Sequence, residues 1–218
     1  DTIPLNIGFV GSYIKKNFGK DVEISLFKYP NEAIQEIKSN PPDMLGLSNY
    51  SWNSNLSEHI ASIAKKVNPN IVTIQGGTNI PYEENLQKDF LLTIPNTDIH
   101  TILEGEKACS NVVKRILESN YDRKKIFEKP IDGCVFIDPE SYKSKNKTIV
   151  RGAILERIKD LDEIPSPYLT GMLDKFFDGK LTPFIETNRG CPFTCSFCHT
   201  GNFYYHKLNR FSEDRVRA

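Results

Sequence analysis

The chain has 218 residues, which against a typical domain of about 150 residues predicts one full domain and part of a second. Its 28 basic and 28 acidic residues cancel, so neither the charge footprint of a nucleic-acid binder nor a polybasic membrane patch is expected. The 39% of hydrophobic residues is enough for a globular core, and no apolar run approaches the roughly 18 residues of a membrane helix, so a soluble chain with no nucleic-acid or membrane partner is expected. No charged and then apolar leader opens the sequence, which makes the cytoplasm the expected compartment.

Leu5, Phe9, Val10, Tyr13, Ile14 and Phe18 recur at helical spacing between Pro4 and Gly19, residues suited to a first turn and a stop. Val22, Ile24 and Leu26 alternate as a strand, and Asn31 is placed to cap a short helix carrying Ala33, Ile34 and Ile37. Pro41-Pro42 ends that helix ahead of a buried strand over 43–47. The alternation continues with a helical stripe of Leu56, Ile60, Ile63, Ala64 and Val67, a strand over 71–75, a helix over 82–91, a strand over 98–103 and a helix carrying Cys109, Val112, Val113, Ile116 and Leu117. Such a pattern predicts an α/β fold: a Rossmann-like (flavodoxin-like) doubly wound parallel sheet with right-handed crossovers.

After Ser119 the texture changes. Residues 131–137 and 148–151 read as a β-hairpin around the polar turn 139–147, and 160–167 as a Pro-containing linker. A short helix with Leu169, Met172, Leu173 and Phe176 follows, then a strand over 183–187, and Ser212 with Glu213 and Asp214 reads as the start of a last helix. The expected partition is 1–120 for the sheet domain, 121–168 for the hairpin extension and linker, and 169–218 for the beginning of a second domain.

Five cysteines is an odd number; Cys109 and Cys134 are isolated, whereas Cys191, Cys195 and Cys198 crowd into eight residues. That is not a disulfide framework; the trio reads as a metal or cluster site. Its spacing, C-x3-C-x2-C, is entered from the strand through Asn188-Arg189-Gly190. Three thiolates can hold three irons of a [4Fe–4S] cube and leave the fourth open to a non-protein ligand. Competing readings are zinc completed by His199 or His206, the C-x-x-C-H pattern of covalent haem, and packing alone.

The strand, Arg-Gly-Cys-Pro, the cysteine spacing and the aromatic Phe197 before the last cysteine resemble the radical S-adenosylmethionine enzymes. Upstream, Ser48-Asn49-Tyr50-Ser51-Trp52-Asn53, Gly76-Gly77-Thr78 and Glu104-Gly105-Glu106 each follow an expected strand, so all three loops fall on one rim, where ligands of open α/β sheets bind. Their plainer role is turn chemistry, with Asn53 or Asn55 capping a helix. With Ile164-Pro165-Ser166-Pro167-Tyr168 they resemble the subgroup of that family carrying an N-terminal cobalamin-binding domain, and the resemblance covers nearly the whole chain.

The resemblance implies a [4Fe–4S] cluster on Cys191, Cys195 and Cys198 that binds S-adenosylmethionine at its open iron and cleaves it on one-electron reduction, with Phe197 near the adenine. It also implies a cobalamin, at Ser48, Asn49, Tyr50, Trp52, Asn53, Gly76, Gly77, Thr78, Glu104, Gly105 and Glu106. The implied activity is an oxidoreductase or methyltransferase on a small molecule, fed electrons by a flavodoxin or ferredoxin. The family fold begins with a strand ahead of the first helix and continues into a (β/α) barrel; the strand is not expected in this chain, and of the barrel only a truncated start is, its first strand, cluster loop and part of the next helix, so the chain reads as an inactive piece of a longer enzyme. A different class of function is a module that binds cobalamin or another ligand, with the cysteines as a structural metal clasp.

Asp98-Ile99-His100-Thr101-Ile102-Leu103 begins like the D-x-H-x-x-G signature of proteins that give cobalamin an axial histidine, but has Leu103 in place of glycine and follows the wrong strand. His100 is therefore expected to be an ordinary strand residue, and His59 a solvated one. Trp52 is expected either to stack on a flat cofactor or to anchor its loop.

Overall fold

A computed structural model describes residues 1–201 and 203–218. In chain order the helices and strands are α1 (Leu5–Phe18), α2 (Pro30–Ser39), β1 (Met44–Ser48), α3 (Ser54–Val67), β2 (Val72–Gly76), α4 (Glu84–Leu92), β3 (Ile99–Thr101), α5 (Gly105–Glu118), α6 (Arg123–Phe127), β4 (Cys134–Ile137), β5 (Ile149–Arg151), β6 (Asn188–Arg189), β7 (Asn209–Arg210) and α7 (Glu213–Arg217). They pack as two units, Tyr29–Leu155 and, from both ends of the chain, Asp1–Lys28 with Glu156–Ala218. These units cut across the sequence-derived boundaries at 120 and 168.

The unit Tyr29–Leu155 is a five-stranded sheet in the order β1-β2-β3-β4-β5. The first three strands are parallel, with Met44 beside Val72, Ser48 beside Gly76 and Gln75 beside His100. β4 then reverses, pairing Thr101 with Cys134, and β5 returns antiparallel to it. The sheet is thus mixed rather than all parallel: the expected hairpin exists, but it extends the sheet instead of standing apart, because β4 bonds to the free edge of β3 and β5 to β4.

Helices cover both faces, as parallel strands require. On one face Val72, Ile74, Ile99, Cys134 and Phe136 pack with Ala108, Val112 and Ile116 of α5 and with Ile126 and Phe127. On the other, Leu91 and Ile94 meet Val135 and Ile137, while Ile60 and Ala64 of α3 meet Ile37 and Ile71. Burial of each such isoleucine or phenylalanine contributes about 2 kcal/mol. β1 lies at the sheet edge and is only half-buried, less enclosed than its apolar sequence suggested. The helix expected to be capped by Asn31 starts two residues earlier, with Tyr29 at the cap position and Pro30 in its first turn, where a missing N–H costs nothing.

At the end of the sheet opposite the strand-tip loops, Asp98 accepts hydrogen bonds from Lys65, Arg123 (2.7 Å) and the backbone N–H of Thr73 (2.9 Å). Burial pushes this carboxyl up, but the Arg123 hydrogen bond and the charges of Lys65 and Arg123 outweigh it and hold Asp98 below its usual range. The aspartate of the decoy signature is therefore a structural ion-pair centre. Leu103, where that signature has glycine, does take a glycine-like φ of 65° and ends β3.

In the other unit, α1 runs as expected from Pro4 to a stop at Gly19 (φ 51°). Gly8 and Gly11 let residues of 167–173 press onto it: a Cβ at Gly8 would stand 3.0 Å from Pro167, and one at Gly11 2.9 Å from Met172 Sδ. Val22, Ile24 and Leu26 form no strand; Ile24 and Leu26 pack against Gly11 of α1, so the alternation reflects burial on a helix without strand pairing. Residues 169–173 make turns and Asp174–Phe176 a 3-10 turn, not the expected helix, although Leu173 and Phe176 are buried as that pattern required. The strand expected over 183–187 is displaced to the two residues of β6, preceded by a single bridge between Thr2 and Thr182. α7 is capped as expected, Ser212 Oγ accepting from the backbone N–H of Arg215. No helix among the described residues is long and apolar enough to cross a membrane.

Candidate functional site

Because β1, β2 and β3 are parallel and in register, the loops after Ser48, Gly76 and Thr101 leave the sheet side by side. Asn49 donates its backbone N–H to Gly76 O (2.6 Å), which ties the first two loops together. Gly77 (φ 140°) lies so close that a Cβ there would run into the backbone carbonyl of Asn49, so both its conformation and its space require glycine. Asn53 organises the first loop: its Oδ1 accepts from Tyr50 N (2.7 Å) and its Nδ2 donates to Ser48 Oγ (2.8 Å). It occupies the N-cap position of α3, yet its side chain turns back to the loop, so the expected capping bond is not made.

That loop holds Tyr50 and Trp52 stacked, ring centroids 4.8 Å apart and planes 1° from parallel, with Trp52 80% exposed. An aromatic pair left in water at a strand tip is a ready platform for a flat ligand. Thr78, on the second loop, is exposed. On the third, Glu104 and Gly105 start α5, whereas Glu106 is only 4% exposed and its charge acts on the thiol of Cys109, so it is turned into the unit.

Beneath the rim, Asn49 and Gln75 are fully buried. Asn79 Nδ2 donates to Asn49 Oδ1 (2.8 Å), Asn49 Nδ2 to Gln75 Oε1, Gln75 Nε2 to Thr97 Oγ1 (2.7 Å), and Thr97 Oγ1 to Glu58 Oε2 (3.2 Å). Gln75, Asn79, Thr97 and Glu58 were not singled out by sequence reasoning; the available signal was a glutamine at the end of a strand expected to be buried, Ile71-Val72-Thr73-Ile74-Gln75.

His100 is fully buried in β3, as expected of a strand residue. Its Nδ1 lies 2.7 Å from Thr101 O, its ring stands edge-on to Phe90, and Nε2 has no hydrogen-bond partner among the described residues. Burial lowers its pKa to about 4, so it is neutral at pH 7. His59 is exposed, also as expected. Burial pushes the thiol of Cys109 up to about 12 and that of Cys134 well above its ordinary value, so both are inert core thiols.

In the other unit, the antiparallel pair β6 and β7 frames the cysteine loop. Gly190 (φ 104°) enters it; a side chain there would meet the carbonyls of Lys207 and Tyr205. Cys191 donates its N–H to Tyr205 O (2.9 Å), and Cys198 its N–H to Cys195 O (3.1 Å). Arg157 braces the loop from behind, donating to Lys207 O and lying over the rings of Tyr204 and Tyr205. Tyr168 holds the incoming segment through its hydroxyl, which donates to Phe184 O (2.7 Å).

All three cysteines are free thiols: Cys191 is half-buried, and Cys195 and Cys198 are exposed. The Cys198 sulfur lies 3.1 Å from Thr200 Oγ1, and hydrogen bonding from that hydroxyl, then from the backbone of Thr200 and Gly201, holds the thiol below its ordinary value. No three His, Cys, Asp or Glu side chains among the described residues are drawn together as a closed metal site. The donor set, three unbridged thiols on one short loop with one of them biased toward thiolate, nevertheless fits an iron–sulfur cluster by its chemistry. His206 is exposed, and the side chain of His199 lies outside the described residues. Phe197 is 91% exposed, and Phe184, Ile185, Phe193 and Phe203 are also largely open; Tyr204 and Tyr205 are half-buried.

The class of protein that this combination resembles, radical S-adenosylmethionine enzymes with a cobalamin-binding domain, is the class found among its homologues. The chain is 28% identical over 182 residues to the cobalamin-dependent radical SAM methyltransferase TokK of Streptomyces tokunonensis, across 81% of this chain and 24% of that protein. It is 27% identical over 227 residues to the 2-(S-pantetheinyl)-carbapenam-3-carboxylate methyltransferase of Streptantibioticus cattleyicolor, across 99% of this chain and 31% of the relative. An anaerobic magnesium-protoporphyrin IX monomethyl ester cyclase of Rubrivivax gelatinosus is 26% identical, across 92% of this chain and 35% of its own length. The fold is that of a solved structure of the cobalamin-dependent S-adenosylmethionine radical enzyme OxsB with aqua-cobalamin and S-adenosylmethionine bound: TM-score 0.68 at 19% identity, over 97% of this chain and 28% of that one. No model of a known protein family matches. The chain spans about a quarter to a third of the length of these relatives.

Proposed function

We propose that this chain is the cobalamin-binding domain and cluster loop of a cobalamin-dependent radical S-adenosylmethionine enzyme, with the sheet unit Tyr29–Leu155 carrying the cofactor rim and the unit made of Asp1–Lys28 and Glu156–Ala218 carrying the cluster loop at the start of the catalytic domain. The observation that carries the reading is the C-x3-C-x2-C loop with three unbridged thiols, one of them pulled toward thiolate, in a chain homologous to enzymes of that class. Cys191, Cys195 and Cys198 would hold a [4Fe–4S] cluster; when bound, the cluster supplies one electron to cleave S-adenosylmethionine, and cobalamin supplies a methyl carrier.

The chain's own residues prepare both places. Gly190 and Gly201 let the cysteine loop fold back on Tyr205 and Cys195, and Arg157 fixes its base. Trp52, stacked on Tyr50, offers a flat apolar face to a corrin ring, while Asn49, Asn53, Gly77 and Thr78 set the loops beside it. Glu104 and Gly105 bound the rim on the side of β3, and Phe197 supplies an exposed ring for the adenine. The reaction is methyl transfer or another radical conversion of a small molecule, with a flavodoxin or ferredoxin as electron donor.

The test is anaerobic reconstitution of the chain with iron and sulfide. A [4Fe–4S] absorption and electron paramagnetic resonance signature is expected, lost in each of Cys191→Ala, Cys195→Ala and Cys198→Ala. Stoichiometric zinc in four-coordinate sulfur and nitrogen, seen by X-ray absorption, would mean a structural clasp instead.

A further inference from the structure

Glu58, on α3, anchors a chain of side-chain hydrogen bonds that ends at the rim. A carboxylate only accepts hydrogen bonds, so the hydroxyl proton of Thr97 points to Glu58 Oε2. Thr97 Oγ1 is then the acceptor for Gln75, which must present Nε2 to it and Oε1 to Asn49. Asn49 in turn presents Nδ2 to Gln75 and Oδ1 to Asn79, which donates Nδ2. One charged end thus sets the orientation of three amides that would otherwise be free to flip. Glu58 itself is held by Asn96, whose backbone N–H (2.8 Å) and Nδ2 (2.7 Å) both bond Oε1. At the other end Asn79 is half-buried on the loop after Gly77, and its Oδ1 is neither bonded to a described residue nor among the buried atoms that lack a partner. The relay therefore delivers an oriented acceptor to the rim.

We propose that the relay from Asn79 through Asn49, Gln75 and Thr97 to Glu58 makes the rim select a corrinoid whose periphery carries amide N–H donors over the same corrinoid bearing carboxylates. The proposal rests on the rim being a corrinoid site. An amide periphery can donate to Asn79 Oδ1; a carboxylate there would set acceptor against acceptor, with a penalty expected to be worth about tenfold in affinity. Glu58→Gln removes the anchor without changing shape: Gln can keep Oε1 on Asn96 and donate Nε2 to Thr97, after which every link can reverse and Asn79 shows a donor instead.

The test is titration of the chain with dicyanocobinamide, all amide at its side chains, and dicyanocobyrinic acid, all carboxyl, read by quenching of the fluorescence of Trp52, the one tryptophan of the chain. The chain is expected to prefer the amide form by about tenfold, and Glu58→Gln and Asn79→Ala each to bring the ratio close to one, with unchanged far-UV circular dichroism. Should Glu58→Gln not fold, the half-buried Asn79→Ala carries the comparison. Equal affinity for both corrinoids, or a preference that survives both substitutions, overturns the relay as a selector while leaving the corrinoid site standing. Binding of neither corrinoid overturns the corrinoid site itself and the selector with it.

Discussion

Acid should loosen the sheet unit through a single buried histidine. His100 has a folded pKa of about 4 because burial penalises its charged form, against about 6.5 for an unfolded histidine. Between those values the unfolded chain takes up a proton that the folded chain refuses, so stability falls as the pH drops through this window and is constant above about 6.5. Between pH 7 and pH 4.5 the loss from His100 alone is about 2 kcal/mol, and it approaches about 3 kcal/mol below pH 4. The assay is urea unfolding followed by far-UV circular dichroism at both pH values, for the chain and for His100→Leu, which keeps an apolar side chain beside Phe90 and Val135 and removes the titration. Other groups titrate equally in both proteins and cancel in the difference. The substituted chain should lose about 2 kcal/mol less on acidification. An identical acid loss in the two proteins would refute the account.

Asp98→Asn should lower stability at pH 7 by about 2 kcal/mol in the same urea assay, since it strips Lys65 and Arg123 of their shared partner; because the folded pKa of Asp98 is depressed, its contribution is present above about pH 4 and lost as the pH falls through the folded value. Gly77→Ala should cost about 2 kcal/mol or more and weaken corrinoid binding together with stability, because the new Cβ displaces Asn49; an unchanged urea midpoint would show that the loop has room to give. Thr200→Val should move the pH midpoint of Cys198 alkylation by iodoacetamide, followed by peptide mass mapping, to higher pH, as the hydroxyl that favours the thiolate is gone.

The sheet unit's helices were legible because helical periodicity is strong when a segment is buried on the side its pattern indicates, as in α3 and α5, and β2 because a short run buried on both faces is set off between them. Pairing was not. Val22, Ile24 and Leu26 alternate as well as any strand, yet their partner is a helix surface; Leu169 to Phe176 carry helical spacing in a stretch of turns; and nothing local announced that 134–151 would close onto β3. For the candidate site, the cysteines and the three rim loops could be found because each is a short pattern at a strand end. The buried relay could not, since Gln75 meets Thr97 and Thr97 meets Glu58 only after the chain has folded across 22 and 39 residues. The relay nevertheless leaves one trace, a polar residue in a strand with no water to satisfy it.

The reversal at β4 separates the two ends of the sheet by use. With Cys134 beside Thr101 and Ile137 beside Ile149, the turn over 138–148 emerges at the end where Asp98 sits, a full strand length away from Trp52, Gly77 and Glu104. Tyr142 and Lys147 lie on that turn, and its residues 144–146 are exposed polar side chains. A fluorophore, an affinity handle or a surface tether inserted between Ser144 and Asn146 would therefore hold the unit by its blunt end and present the strand-tip loops outward, which suits the chain to immobilised binding measurements without any change at the rim.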